Sequence, residues 1–289
     1  MKIAFLTCIR HGACGLALQE VIKSPKVEVA GVIFSHESRR PPIRKRVMRR
    51  ARKIAKIGIL GAVNGLRLRK WFLHTKAMDI FEAAAQAGVP IHEVEWMNSD
   101  DVGELLGKMN VDLGISLGCG YIGARVFMRP RFGMINYHGE LLPEYPGAQS
   151  IIWAIHEGAS ETGVTIHRID AKIDSGDILL RCEFPIHFRR SLRATVEATQ
   201  REIHPHLPAA IRHACEDFED LAARAEKQPH RPSFTTPSFA QFLRMVRNNR
   251  RSFRLSLPAR SREQSRRQRL EWPFGSCVER LWRRLRRFH

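Results

Sequence analysis

Two short stretches hold the side chains best suited to chemistry: Asn136-Tyr137-His138, and Asp174 in the turn sequence Asp174-Ser175-Gly176. Asn136 and His138 stand two apart after the apolar pair Met134-Ile135, so on an extended backbone both point to one face and Tyr137 to the other. A carboxamide, an imidazole and a carboxylate that converge suit acyl transfer to an amine. Such a reaction needs an oxyanion stabilised and a proton taken from the attacking nitrogen, and it requires no nucleophilic side chain. Taken singly, each residue has a plainer role: His138 as a satisfied core histidine, Asn136 and Asp174 as turn formers. Their joint placement favours a site, with no metal in it.

The intervening sequence is what would bring them together. Leu141-Leu142-Pro143 and Tyr145-Pro146-Gly147 cannot prolong a strand and reverse the chain. Ala148 to Glu157 spaces Ile151, Ile152 and Ile155 as one helix face and stops at Gly158. Val164 to Ile169 alternates as a strand, and the turn at Asp174 to Asp177 precedes the apolar run Ile178-Leu179-Leu180. That order sets Asp174 beside the strand of Asn136 and His138.

Upstream, strand and helix alternate. Strands are expected at Lys2 to Cys8, Val27 to Phe34, Ile91 to Val94 and Val111 to Leu117, with helices at Gly15 to Lys23, Lys76 to Ala87 and Asp100 to Met109. The fold class is therefore α/β: a mainly parallel twisted sheet with helices on both faces, Rossmann-like, followed by a helical C-terminal extension. In such folds ligands bind at the carboxyl ends of the strands, where Gly118 to Tyr121 would lie. This loop begins Gly118-Cys119-Gly120-Tyr121-Ile122-Gly123, a formal G-x-G-x-x-G pattern, with Glu140 about where an acidic ribose ligand would follow. A dinucleotide site is thus a rival. It is disfavoured because the pattern follows a late strand, and because the chain then leads toward Arg129-Pro130 and not into a long helix.

Motif by motif, the segment resembles the folate-dependent formyltransferases, the family that includes methionyl-tRNA formyltransferase, phosphoribosylglycinamide formyltransferase and the amino-sugar N-formyltransferases. The matching residues are Asn136-Tyr137-His138, Leu141-Leu142-Pro143, Gly147, Ala154-Ile155, Thr162-Gly-Val-Thr-Ile-His167 and Asp174-Ser-Gly176-Asp-Ile178. The resemblance is clear over residues 111 to 181 and weaker over the first strands. It implies transfer of a formyl group from 10-formyltetrahydrofolate to a primary amine. Asn136 and a protonated His138 would bind the oxygen of the tetrahedral intermediate, and Asp174 would handle protons and orient His138. It further implies that Gly118, Gly120, Tyr121, Ile122, Asp170 and Ile173 hold the cofactor. Glu140 departs from the pattern, since many relatives have a small residue there, and this bears on the acceptor.

Composition fits a globular chain of 289 residues with 44% hydrophobic content. Six scattered cysteines (Cys8, Cys14, Cys119, Cys182, Cys215, Cys277) form no C-x-x-C pair, which points away from zinc and disulfides and toward reducing, cytoplasmic surroundings. The apolar start is broken at Arg10-His11, too soon for a signal peptide, and no uncharged run is long enough to span a bilayer.

The charge is unusual: 48 Lys plus Arg against 29 Asp plus Glu, a formal +19. One basic block runs from Arg39 to Lys70 with Ile54, Ile57, Ile59, Leu60 and Leu66 interleaved. The other runs from Arg250 to His289, with Trp272, Trp282 and Phe288 among its arginines. Either block has the makings of a peripheral contact with an anionic membrane or a polyanion. Nucleic acid is disfavoured as a partner, because residues 190 to 289 show helical, arginine-rich sequence and none of the strand alternation of a β-barrel domain. The expected organisation is a catalytic domain at 1–188 with a basic insert at 38–70, a helical extension at 189–249, and a basic tail at 250–289. The insert and tail are the segments with least to hold them.

Within the extension, Ser191 to Phe218 is expected as helix broken at Pro205 and Pro208, and a helix with Phe242, Leu243 and Val246 on one side starts near Phe239. The function expected is N-formylation of a small amine, an amino sugar above all. Alternatives are tRNA formylation, hydrolysis of the formyl-folate with water as acceptor, and a non-catalytic scaffold that binds membranes or polyanions.

Overall fold

The computed structural model describes residues 1–37, 42–69, 71, 78–148 and 151–257. Nine strands are described: β1 Lys2–Thr7, β2 His11–Gly12, β3 Glu28–Ser35, β4 Met78–Asp79, β5 Ile91–Val94, β6 Leu113–Ser116, β7 Met134–His138, β8 Glu161–Arg168 and β9 Ile178–Pro185. The helices are α1 Ala13–Val21, α2 Ile43–Arg69, α3 Ile80–Ala87, α4 Asp100–Lys108, α5 Ala124–Phe127, α6 Ile152–Glu157, α7 Leu192–Ile203, α8 Leu207–Glu216, α9 Phe218–Ala223 and α10 Phe239–Ser256.

Seven strands form one sheet in the order β5-β3-β1-β6-β7-β8-β9. The first five run parallel, while β8 and β9 join antiparallel. The expected parallel α/β sheet is therefore present, with an antiparallel edge that periodicity alone did not specify. The central parallel strands are apolar where both faces are covered: Ile3 to Leu6 and Leu113 to Ile115 are buried completely or nearly so. On one face, Phe5, Ile115 and Ile135 pack with Leu18 of α1, Ala84 of α3 and Leu207, Ile211 and Ala214 of α8. On the other, Ala4, Leu6 and Ile33 pack with Val102 and Leu106 of α4 and Val126 of α5. A third cluster joins α6, α7 and α10 through Ile152, Val196 and Met245, and includes Leu68 from the far end of the basic insert and Trp71 just beyond it.

Local chemistry explains where elements begin. The helix expected from Lys76 starts only at Ile80. Met78–Asp79 pairs instead with His11–Gly12, and the Asp79 carboxylate caps the helix by accepting from the Phe81 N–H at 2.9 Å. The break expected near Pro205 and Pro208 is a 3₁₀ turn at His204–His206, after which Pro208 lies in the first turn of α8, where its missing N–H costs nothing. At Ser238 a capping box with Gln241 opens α10. That helix runs on through Arg250 and Arg251 to Ser256, while the tail beyond residue 257, with Trp272, Trp282 and Phe288, lies outside the described residues. Within the insert, residues 43–69 are helical with a non-helical Gly58 (φ 75°, ψ 164°); residues 38–41 and 70 lie outside the described residues.

Candidate active site

The parallel order reverses at β1, with β3 on one side and β6 on the other, and a cleft of about 460 Å³ opens near the carboxyl ends of β6 and β7. Asn136, His138 and Asp174 all line it. Asn136 and His138 alternate on β7 as expected, and His138 Nδ1 lies 3.7 Å from Asp174 Oδ2. Asp174 sits at φ 50°, a left-handed conformation that Asp and Asn tolerate better than most residues, and its Oδ2 accepts the Gly147 N–H at 2.7 Å. The three side chains thus meet, although Asp174 comes from a turn between β8 and β9.

Hydrogen bonds fix which ring nitrogens carry protons. His138 Nε2 lies 2.8 Å from the Tyr145 carbonyl, an acceptor only, so Nε2 is protonated and Nδ1 faces Asp174. A further proton on His138 therefore goes to Nδ1, inside the cleft. His167 is the residue the sequence motifs contained but did not mark as functional. Its Nδ1 donates to the Arg168 carbonyl at 2.8 Å, which leaves Nε2 to accept from the Asn136 carboxamide at 3.3 Å. Burial holds its pKa below that of an ordinary histidine, against the pull of Asp174. A neutral His167 orients the Asn136 amide so that its second N–H is free for the cleft. The signal that finds it is register: β7 and β8 run antiparallel with Asn136 opposite His167. Replacing His167 by leucine removes both hydrogen bonds at similar volume. We expect turnover to fall roughly tenfold, with a smaller effect on KM, in steady-state kinetics.

Glu140 behaves unlike an acceptor-binding group. It is 1% exposed and accepts from Thr162 Oγ1–H at 2.6 Å, from the Leu141 N–H at 3.3 Å and from the Ile151 N–H. It ties the loop after β7 to the start of β8 and to the entry of α6, and so bears on the site by holding its frame. Burial raises its pKa in spite of those donors. Its burial also removes the acidic partner that a dinucleotide ribose would need. The glycine pattern fares no better, since Gly118 (φ 80°) turns the chain against Ile9 and α5 spans only four residues.

Gly118, Gly120, Tyr121, Ile122, Asp170 and Ile173 line one side of the cleft, with Tyr121 and Ile173 more than half exposed or nearly so. Gly120 has open space where a side chain would be, so its backbone is accessible to a flat ligand. The Asp170 carboxylate accepts from Ser175 Oγ–H at 2.7 Å and the Lys172 N–H at 3.0 Å, which stiffens the turn that carries Asp174. Sequence reasoning missed another part of the lining. Ser233, Phe234 and Thr235 line the cleft beside Gly147 and Ala148, zipped to them by the Phe234 N–H to the Pro146 carbonyl (2.7 Å) and the Ala148 N–H to the Phe234 carbonyl (3.0 Å). Gly147 (φ 101°) has no room for a Cβ against the Phe234 backbone.

The arrangement supplies two hydrogen-bond donors and one base around a cleft with two walls, the requirements of acyl transfer between two bound partners. Among known families, the formyl transferase family model matches residues 74–211. The fold is similar to glycinamide ribonucleotide transformylase 1 from Symbiobacterium toebii (TM-score 0.52, 18% identity, 79% of this chain and 94% of that one). It is similar also to phosphoribosylglycinamide formyltransferase from Bacillus halodurans (0.50, 20%, 76% and 98%). A third similarity is to a sugar N-formyltransferase from a Shewanella species (0.50, 14%, 84% and 78%). At such identities these structures establish the shared fold alone. Residues 74–211, which contain the whole Asn136, His138 and Asp174 cluster, are similar to the formyl transferase family and mark this chain as a formyl-transferring enzyme.

Proposed function

We propose that the enzyme moves a formyl group from 10-formyltetrahydrofolate to the primary amine of a small metabolite, an amino sugar in nucleotide-linked or lipid-linked form. The observation that carries the proposal is the meeting of Asn136, His138 and Asp174 between two walls, one of accessible glycine backbone and one of Ser233 to Thr235. The pteridine would lie against Gly118, Gly120, Tyr121 and Ile122, with Asp170 and Ile173 closing over it; the amine would enter past Gly147 and Ser233.

In this scheme the amine lone pair attacks the formyl carbon. Negative charge gathers on the formyl oxygen, which accepts from Asn136 Nδ2–H and from Nδ1–H of protonated His138. Asp174 takes a proton from the nitrogen that has become cationic. Collapse breaks the bond to the folate nitrogen, which leaves with a proton as tetrahydrofolate. A small acceptor is favoured over tRNA because residues 190–257 fold as helices, with only isolated bridges at Phe234 and Glu226 and no barrel among the described residues. Among the described residues Cys8, Cys14, Cys119, Cys182 and Cys215 are free thiols, which suit a reducing, cytoplasmic setting.

The test is to mix the full chain with 10-formyltetrahydrofolate and a panel of amino-sugar nucleotides and to follow tetrahydrofolate. Release that requires an amine, and yields a formylated product by mass spectrometry, is the expected result. Release at the same rate with no amine would make water the acceptor, and no release with any acceptor would end the catalytic proposal.

A further inference from the structure

Between Glu37 and Asp79 the sequence holds no Asp or Glu. Most of that stretch is α2, and the first half of the helix stands off the body. From Ile43 to Lys56 every residue is exposed apart from a half-covered Arg46. Helical spacing gathers Ile43, Val47, Ala51 and Ile54 on one side and Lys45, Arg49, Arg52 and Lys56 on the opposite side.

After Gly58 the helix becomes apolar on two faces. Gly61, Gly65 and Leu68 turn inward, where Gly61 meets the backbone of Ser238 and Phe239 and Gly65 meets Thr236. Ile59, Val63 and Leu66, spaced i, i+4, i+7, face outward and are 73%, 62% and 64% exposed. A helix that has already buried one stripe gains nothing within the chain from a second.

The neighbouring α10 carries a basic outer face of its own. Leu243, Arg247, Arg250 and Arg254 share its outer face, and no acidic residue occurs from Lys227 to Leu257. Exposed aliphatic side chains flanked by arginine and lysine, without intervening carboxylates, match a bilayer of anionic lipid, where apolar groups enter the acyl boundary and cations meet phosphates. RNA would use the charge and leave Ile59, Val63 and Leu66 in water. A second copy would bring two strongly cationic faces together. Among the described residues no helix is long and apolar enough to cross a membrane, so α2 would lie along the surface.

We propose that α2, with the outer face of α10, docks this enzyme on an anionic membrane surface. The surface is separate from the cleft, so the inference stands or falls independently of the acceptor. The test is co-sedimentation of the full chain with vesicles of about one-third phosphatidylglycerol in phosphatidylcholine, against phosphatidylcholine alone. Binding is expected only with the anionic vesicles and is expected to weaken as salt rises.

Two variants separate the contributions. Ile59→Gln/Val63→Gln/Leu66→Gln alters exposed positions only, so an unchanged Tm and unchanged tetrahydrofolate release are expected while vesicle affinity falls roughly tenfold or more. Lys45→Glu/Arg49→Glu/Arg52→Glu is expected to remove the preference for anionic lipid. Any of three results would overturn the proposal. One is equal binding to neutral vesicles. Another is anionic-vesicle binding that the apolar variant leaves intact, as attachment through RNA-like charge contacts or another segment would give. The third is absence of vesicle binding, whether or not light scattering shows a dimer that the apolar variant dissociates.

Discussion

Asp174→Asn is expected to slow formyl transfer by roughly 10²- to 10⁴-fold, the range spanned by loss of a positioned general base. Asparagine is the informative replacement because it tolerates the left-handed backbone at φ 50°, which alanine does less well. Its side-chain oxygen can still accept the Gly147 N–H, now held at 2.7 Å by the carboxylate, so the loop that carries Gly147 stays in place. What disappears is the carboxylate beside His138 Nδ1 and, in the proposed scheme, the lone pair that would take the amine's proton. The loss should therefore fall on kcat, with Tm nearly unchanged and KM for the folate within a small factor. A drop confined to KM would assign Asp174 to binding. Asn136→Ala should give a loss of similar size, since one oxyanion donor is worth roughly 10²- to 10³-fold.

Glu140→Ala is the change with the largest expected effect on stability. It strands three donors in a buried space: the Thr162 hydroxyl and the N–H groups of Leu141 and Ile151. At about 1–3 kcal/mol for each unsatisfied group, less what the hydroxyl recovers by turning, the cost is about 3 kcal/mol or more. That corresponds to a Tm lower by roughly 6–12 °C in a chain of this size. Differential scanning calorimetry checks it.

The pH dependence has a definite sign. Burial raises the folded-state pKa of Glu140 above that of the unfolded chain, so the folded state binds more protons across the interval between the two values. Over that interval Glu140 lowers stability as pH rises, and its full cost is present above the folded pKa. The alanine variant should lack this contribution, and a Tm–pH slope unchanged by the substitution would contradict a desolvated carboxylate.

Much of the fold was legible because it rests on local rules. Apolar runs of strand length alternate with one-faced helices, and Gly88 and Gly158 end α3 and α6 in left-handed caps as their sequence positions imply. Asn136 and His138 were legible because strand parity puts them on one face, and Asp174 because turn chemistry marks it. The residues that escaped depend on pairings distant in sequence. His167 acquires a role only when β8 lies antiparallel to β7. Ser233 to Thr235 show no periodicity and acquire theirs by docking on Pro146 to Ala148. Glu140 shares strand parity with His138, but the chain turns after β7, so its carboxylate is drawn inward to Thr162.

The wall beside Gly147 comes from a stretch far along the chain from every reacting group. On the proposed reading, chemistry and selectivity are carried by different segments, so residues 233–235 could change, and with them the acceptor, while Asn136, His138 and Asp174 stay in place.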